Sequence, residues 1–258
     1  ELGFSQLQIS NIASLYLYIY ALMQIPAGIL IDRYGAREIS SVGMIISGVG
    51  SILFGTMNNV YLAYLSRIIG TSVILLAMFK VQGNWFKKEE FPSITAKFAF
   101  IGNLGTVFAT FPLVYLNDYI GWRNSFILIG VVGIAIGISI YLIVRNTPKD
   151  YGFNVDLKVE QAEKIRLQDG LKSVFTNKST WYNSLILFSL VGISTAFTSL
   201  WGVTYITDAY NVSKSVSAFI ISFFTYGFVV GSMFMNFLFN KIKCSKFNIL
   251  KIGAFINI

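Results

Sequence analysis

The sequence predicts an all-α polytopic membrane protein, on three observations: its composition, a series of apolar runs of spanning length, and basic residues confined to alternate loops. Of 258 residues, 55% are hydrophobic and only 12% are charged, with a mean hydropathy of +0.65. A soluble domain carries about twice that charged share, so a hydrocarbon surrounding has to supply what water cannot. The single cysteine, Cys244, leaves no internal disulfide, and the lack of histidine removes the usual zinc sites and the Ser-His and Cys-His catalytic pairs. No catalytic residue, metal site or cofactor is expected. The net charge of +8 lies in short patches between apolar runs, which suits loops at a membrane surface better than a nucleic-acid face.

A spanning helix needs about 20 mostly apolar residues. Seven runs qualify: residues 10–30, 39–57, 60–82, 93–115, 123–144, 181–206 and 216–239. An eighth begins near residue 247 and reaches about half the length a span needs, and the sequence opens on Glu1 without the basic region of a signal peptide. It therefore reads as cut at both ends. Gly43, Gly48 and Gly50 in one run, and Gly130, Gly133 and Gly137 in another, predict close helix contact, because small side chains let backbones approach in lipid.

Fourteen of the twenty Lys and Arg residues fall in one set of loops: Arg33 and Arg37; Lys87 and Lys88; Arg145, Lys149, Lys158, Lys164, Arg166, Lys172 and Lys178; Lys241, Lys243 and Lys246. The opposite set holds Arg123 and Lys214. The positive-inside bias makes the first set cytoplasmic. The longest polar segment, residues 145–179, carries the helix-breaking step Thr147-Pro148 at a span's end and reads as a linker (146–179) between bundles at 1–145 and 180–258. Within it, residues 159–174 are compatible with a short amphipathic helix carrying Ile165 and Leu167 on its apolar side, or with a solvated connector.

Between the first two runs the chain reads Gly28-Ile-Leu-Ile-Asp32-Arg33-Tyr34-Gly35-Ala36-Arg37. Gly35 permits a sharp turn, and Asp32 with the two arginines sits where a helix leaves hydrocarbon and ion pairs can form. The segment resembles the G-x-x-x-D-R-x-G-R-R signature of the major facilitator superfamily, with Ala36 departing at the first closing basic position. The resemblance implies two six-helix bundles, here without the first helix and truncated in the second bundle, so that the seven runs are family helices two to eight and the partial run is part of helix nine. It also implies that Gly28, Asp32, Arg33, Gly35 and Arg37 gate the protein on its cytoplasmic face. A degenerate second copy, Asn236-Phe-Leu-Phe-Asn240-Lys241-Ile242-Lys243, stands where the second half should repeat the signature. Arg67-Ile-Ile-Gly70, Trp85-Phe86, Phe91-Pro92 and Gly121-Trp122-Arg123-Asn124-Ser125-Phe126 are similar to further punctuation of the family.

For function, the resemblance implies a secondary transporter in the bacterial cytoplasmic membrane, coupled to a proton or sodium gradient, with a small solute and the lipid bilayer as partners. A charge inside a span costs about 2.5–3.5 kcal/mol on insertion scales and tends to face a wet cavity or a partner. Arg67 and Lys80 are the cations to weigh, while Lys97 can snorkel to the interface. No Asp or Glu lies well inside a complete run, so the excess of cations points to an anionic or carboxylate-bearing solute. Gln24, Asn103 and Trp201 lie nearest mid-span and are the expected lining residues. Tyr20 shares a face with Tyr16 and Gln24; Phe197 and Tyr205 share one with Trp201; Thr106 and Thr110 share one with Asn103. A solute sensor on the same fold would carry the same residues. Proton-coupled drug efflux is a further alternative, against which Gly102, Gly105 and Pro112 lack the helix-five spacing of drug antiporters. A membrane-embedded enzyme would need convergent acid, base or nucleophile groups, and the spans offer none.

Overall fold

The computed structural model describes residues 3–71, 74–87, 89–109, 111–153 and 167–241. Among these residues there is no strand, and the chain divides into two compact units: Glu1–Thr95 with Leu113–Leu157, and Ala96–Pro112 with Lys158–Ile258. Lys88, Thr110, residues 159–166 of the proposed linker helix, and the partial run from 247 lie outside the described residues.

In the first unit, α1 (Gln6–Tyr34), α2 (Ala36–Thr56) and α7 (Trp122–Ile143) are each long and apolar enough to cross a membrane; α3 (Val60–Ile69) and α4 (Ile74–Trp85) lie along the apolar stretch Val60–Trp85. Their ends are set by local chemistry. Ser5 and Gln8 form a capping box at the start of α1, and the Asn59 side chain accepts from the Leu62 N–H at 2.8 Å to open α3, each satisfying a donor that the first helical turn leaves free.

The main packing contact joins α2 to α7, where glycine faces glycine. A Cβ placed on Gly48 would stand 2.6 Å from the Gly130 carbonyl oxygen, and one on Gly130 would stand 2.6 Å from the Gly48 oxygen. Serine hydroxyls fix the register, Ser41 donating to the Gly137 carbonyl and Ser51 to the Phe126 carbonyl, both at 2.8 Å. On the adjoining face Gly50 meets the backbone of Gly70, whose carbonyl accepts from Ser47 at 2.9 Å. Among the described residues, two small apolar clusters add to the unit. One gathers Ile12, Phe54, Met57 and Ala63 near the Asn59 end, and the other Ile31, Ala36 and Ala77 near the Gly35 turn. Most large apolar side chains instead point outward, such as Leu22, Val131 and Leu142, as a helix bathed in hydrocarbon requires.

In the second unit the run predicted at 181–206 is helical from Lys178 to Tyr210 but not uniformly α. Between α9 (Lys178–Leu187), α10 (Ile193–Ala196) and α11 (Gly202–Tyr210) lie two π turns, Phe188–Gly192 and Phe197–Trp201. Asn211, in the left-handed region at φ 51°, then ends α11, and α12 (Lys214–Lys241) packs back on it through a Thr207–Ser217 hydroxyl pair at 2.8 Å and Gly202 against Ile221. Also described are α5 (Phe91–Phe108), α6 (Phe111–Ile120) and the linker helix α8 (Leu167–Thr176).

Candidate functional site

The charged hairpin closes α1 onto α2 through Gly35, whose φ of 100° is open to glycine and strained for other residues. Asp32 does not pair with the neighbouring arginines. Its Oδ1 takes the Lys80 Nζ of α4 at 2.7 Å. The reason is helical geometry: residues i and i+1 point about 100° apart, and α4 passes on the side that Asp32 presents. Arg33 folds over the Tyr34 ring, 5.2 Å from its centroid. Arg37, in the first turn of α2, reaches the end of α7, where its Nε donates to the Tyr141 carbonyl at 2.8 Å and its guanidinium lies 4.3 Å from the Tyr141 ring centre. A cation there meets the negative end of the α7 dipole. Glu38 lies 3.7 Å from Arg37.

Asn84, Asn146 and Tyr151 on this face carried no weight in the sequence. The Asn146 side chain accepts the Arg37 N–H at 2.8 Å and donates to Glu38 Oε2 at 2.7 Å, while its carbonyl accepts from Asn84 at 3.1 Å. Trp85 Nε1 donates to the Arg145 carbonyl at 2.9 Å and stacks edge-on against Tyr151, whose hydroxyl donates to the Ile143 carbonyl at 2.6 Å. The step Thr147-Pro148, legible only as a helix stop, opens a 3-10 turn, Pro148–Tyr151, that seats this tryptophan–tyrosine pair. Near the Asn59 end, Arg123 donates to the Gly55 and Met57 carbonyls at 3.1 and 2.7 Å and so caps the last turn of α2. Gln82 is fully buried, its Oε1 accepting from Thr95 at 2.9 Å and its Nε2 without a partner among the described residues.

Within the membrane-spanning part of the first unit, Arg67 lies in the last turn of α3 with its guanidinium 4.0 Å from the Phe54 ring centre and 5.6 Å from that of Phe126. Its Nε is buried and has no hydrogen-bond partner among the described residues. Tyr16 lies within electrostatic reach of Arg67 and stacks on Tyr20 at 6.4 Å. Gln24 is folded back on its own helix, donating to the Tyr20 carbonyl at 2.9 Å. Tyr16, Tyr20 and Gln24 thus follow one another along α1, with Tyr16 in reach of Arg67, while Lys80 is engaged by Asp32. Asn103 is half-buried on α5 and Trp201 is 67% exposed at the end of the second π turn, both in the second unit. The side chains of Asn236 and Asn240, in the degenerate signature, lie outside the described residues.

Among the described residues five helical stretches are long and apolar enough to cross a membrane, and a charged hairpin joins the first two, which makes this an integral membrane protein. The chain matches the Major Facilitator Superfamily over residues 1–257, and it belongs to that family. It is 28% identical over 221 residues to a probable L-galactonate transporter of Escherichia coli (strain K12), covering 82% of this chain and 49% of the relative. It is 23% identical over 275 residues to a probable hexose phosphate transport protein of Chlamydia muridarum, covering 95% and 59%. The membrane sensor protein UhpC of Salmonella typhimurium is 23% identical over 245 residues, covering 87% and 54%. The chain spans about half the length of the curated relatives it matches.

Proposed function

We propose that the protein is a secondary active transporter that carries a small anionic solute across the cytoplasmic membrane by alternating access, driven by a proton or sodium gradient. The observation that carries this reading is Arg67: a guanidinium inside a span, supported by aromatic rings but with a buried N–H that no protein acceptor meets among the described residues. A carboxylate or phosphate is the natural partner for such a group. The relatives named for L-galactonate and hexose phosphate support the same class of solute, since both compounds carry an anionic group. In this scheme the bundles at 1–145 and 180–258, joined by the connector 146–179, rock about the site. Arg67, Tyr20, Gln24, Asn103 and Trp201 contact the solute. Gly28, Asp32, Arg33, Gly35 and Arg37 form the cytoplasmic gate, and Lys80 acts there as the partner of Asp32.

The test is uptake of labelled L-galactonate and of labelled glucose 6-phosphate into liposomes holding the full-length protein, with and without imposed pH and sodium gradients. Gradient-stimulated accumulation of either anion is the expected result. The sensor relative motivates one second reading, in which the protein binds such an anion without moving it. Saturable binding with no flux in any gradient would select that reading and overturn transport.

A further inference from the structure

We propose that Asn146 is the positioning residue of the cytoplasmic hairpin, a helix cap supplied from the exit of α7 that holds Gly35–Glu38 in the shape that lets Asp32 meet Lys80. The functional consequence rests on the gating reading above; the cap itself does not. Helix α2 begins with a difficulty. Its N-cap is Gly35, which has no side chain to accept the free N–H groups of the first turn, a role that Ser, Thr, Asp or Asn ordinarily fills from the N-cap position. Asn146, more than a hundred residues away in sequence, fills it instead. Its Oδ1 accepts the Arg37 N–H and its Nδ2 donates to the carboxylate of Glu38, the third residue of the helix. The two bonds run in opposite directions: one satisfies a backbone donor of the first turn in place of an N-cap side chain, and the other holds the carboxylate of the third helical residue against the same amide.

The fit also explains why the turn is closed by glycine. A Cβ on Gly35 would stand 2.5 Å from Asn146 Nδ2 and would collide with the Glu38 carboxylate, so the space a side chain would fill is the space the cap occupies. The same residue's carbonyl ties in α4 by accepting from Asn84, and the carbonyl of Arg145 just before it accepts from Trp85. Asn146 therefore joins the α1–α2 hairpin, the end of α4 that follows Lys80, and the exit of α7 into one piece, so that these ends move together.

The polarity of the two bonds supplies the test. In Asn146→Asp the carboxylate faces Glu38 as a like charge, and the repulsion between the two drives the acceptor away from the Arg37 N–H. In Asn146→Asp with Glu38→Gln the donor and acceptor are exchanged and both bonds re-form. Amide hydrogen exchange of residues 36–40 in the full-length protein is the first readout, and the second is labelling of Gln24→Cys by an impermeant maleimide from outside, both in a Cys244→Ser background. Loss of the cap should speed exchange at least about tenfold in Asn146→Asp, and the double variant should return to within about twofold of the parent. Exchange unchanged in Asn146→Asp, or accelerated and not restored by Glu38→Gln while the melting temperature stays at the parent value, overturns the cap. Accelerated and rescued exchange with unaltered Gln24→Cys labelling supports the cap and overturns the hairpin's gating role.

Discussion

Gly130→Leu yields little or no folded protein, whereas Val131→Leu next to it leaves folding intact. The asymmetry follows from what each side chain would meet. At Gly130 the obstacles are the Gly48 carbonyl oxygen at 2.6 Å, the Ile52 side chain at 2.6 Å and the Ile52 nitrogen at 3.0 Å. Two of the three are backbone of a neighbouring helix and cannot rotate aside. Relief requires α2 and α7 to separate, which breaks the Ser41–Gly137 and Ser51–Phe126 hydrogen bonds and opens the main packing contact of the first unit. Overpacking a core that can adjust costs about 1–3 kcal/mol; a clash with fixed backbone exceeds that and takes up much of a stability of about 5–15 kcal/mol. Val131 is 52% exposed and faces the surrounding hydrocarbon, so an added methylene there meets nothing fixed. Monodisperse elution in detergent and the melting temperature give the comparison. A Gly130→Leu protein that elutes and melts like the parent would contradict the packing described.

With Arg67 holding the solute as proposed, Arg67→Ala is expected to remove most uptake without unfolding the protein. A hydrogen bond to a charged group contributes about 1.5–3 kcal/mol, and each 1.4 kcal/mol is about tenfold in affinity, so uptake at low solute concentration should fall by about 10- to 100-fold. Arg67→Lys should recover part of the loss, because it keeps the charge but neither the flat face that rests on Phe54 nor the fork that binds an oxyanion in two places. Stability should not fall with uptake. Removing a charge from within a span recovers its insertion cost, about 2.5–3.5 kcal/mol, against a cation–π contact of about 0.5–2 kcal/mol. Uptake assays at matched protein density, paired with melting curves, separate the two effects. Unchanged uptake in Arg67→Ala would remove the residue from the solute site, and uptake that falls only in step with the melting temperature would make it a structural prop.

The spanning helices were legible because lipid imposes a simple rule: long apolar runs with charge at their ends. The family signature was legible too, as a spacing of Gly28, Asp32, Arg33, Gly35 and Arg37. Its pairing was not, because the partner of Asp32 is chosen by which helix passes beside it, and Lys80 lies 48 positions on. Asn146 escaped for a related reason. It is a small polar residue in a loop, and nothing local marks it as the cap of a helix that starts at Ala36. The π turns at Phe188–Gly192 and Phe197–Trp201 were invisible to a reading that assumes 3.6 residues per turn. Each shifts the angular phase of the helix beyond it, so that Phe197 and Tyr205 still meet, with ring centres 6.3 Å apart, while Trp201 between them stays exposed. The glycine contacts were legible in kind, since a cluster of small residues in a span implies close approach, but the match of Gly48 to Gly130 needed both helices in place.

The most direct test of the whole account is the sidedness of three single cysteines introduced with Cys244→Ser in the full-length protein: Tyr34→Cys beside the hairpin, Phe153→Cys just beyond the exit of α7, and Asn58→Cys in the turn between α2 and α3. All three positions are exposed. In intact cells an impermeant maleimide should label Asn58→Cys alone, and in inverted membrane vesicles it should label Tyr34→Cys and Phe153→Cys alone. Labelling of the hairpin and the α7 exit from opposite sides, or of all three from one side, would contradict a membrane-spanning bundle gated on its cytoplasmic face.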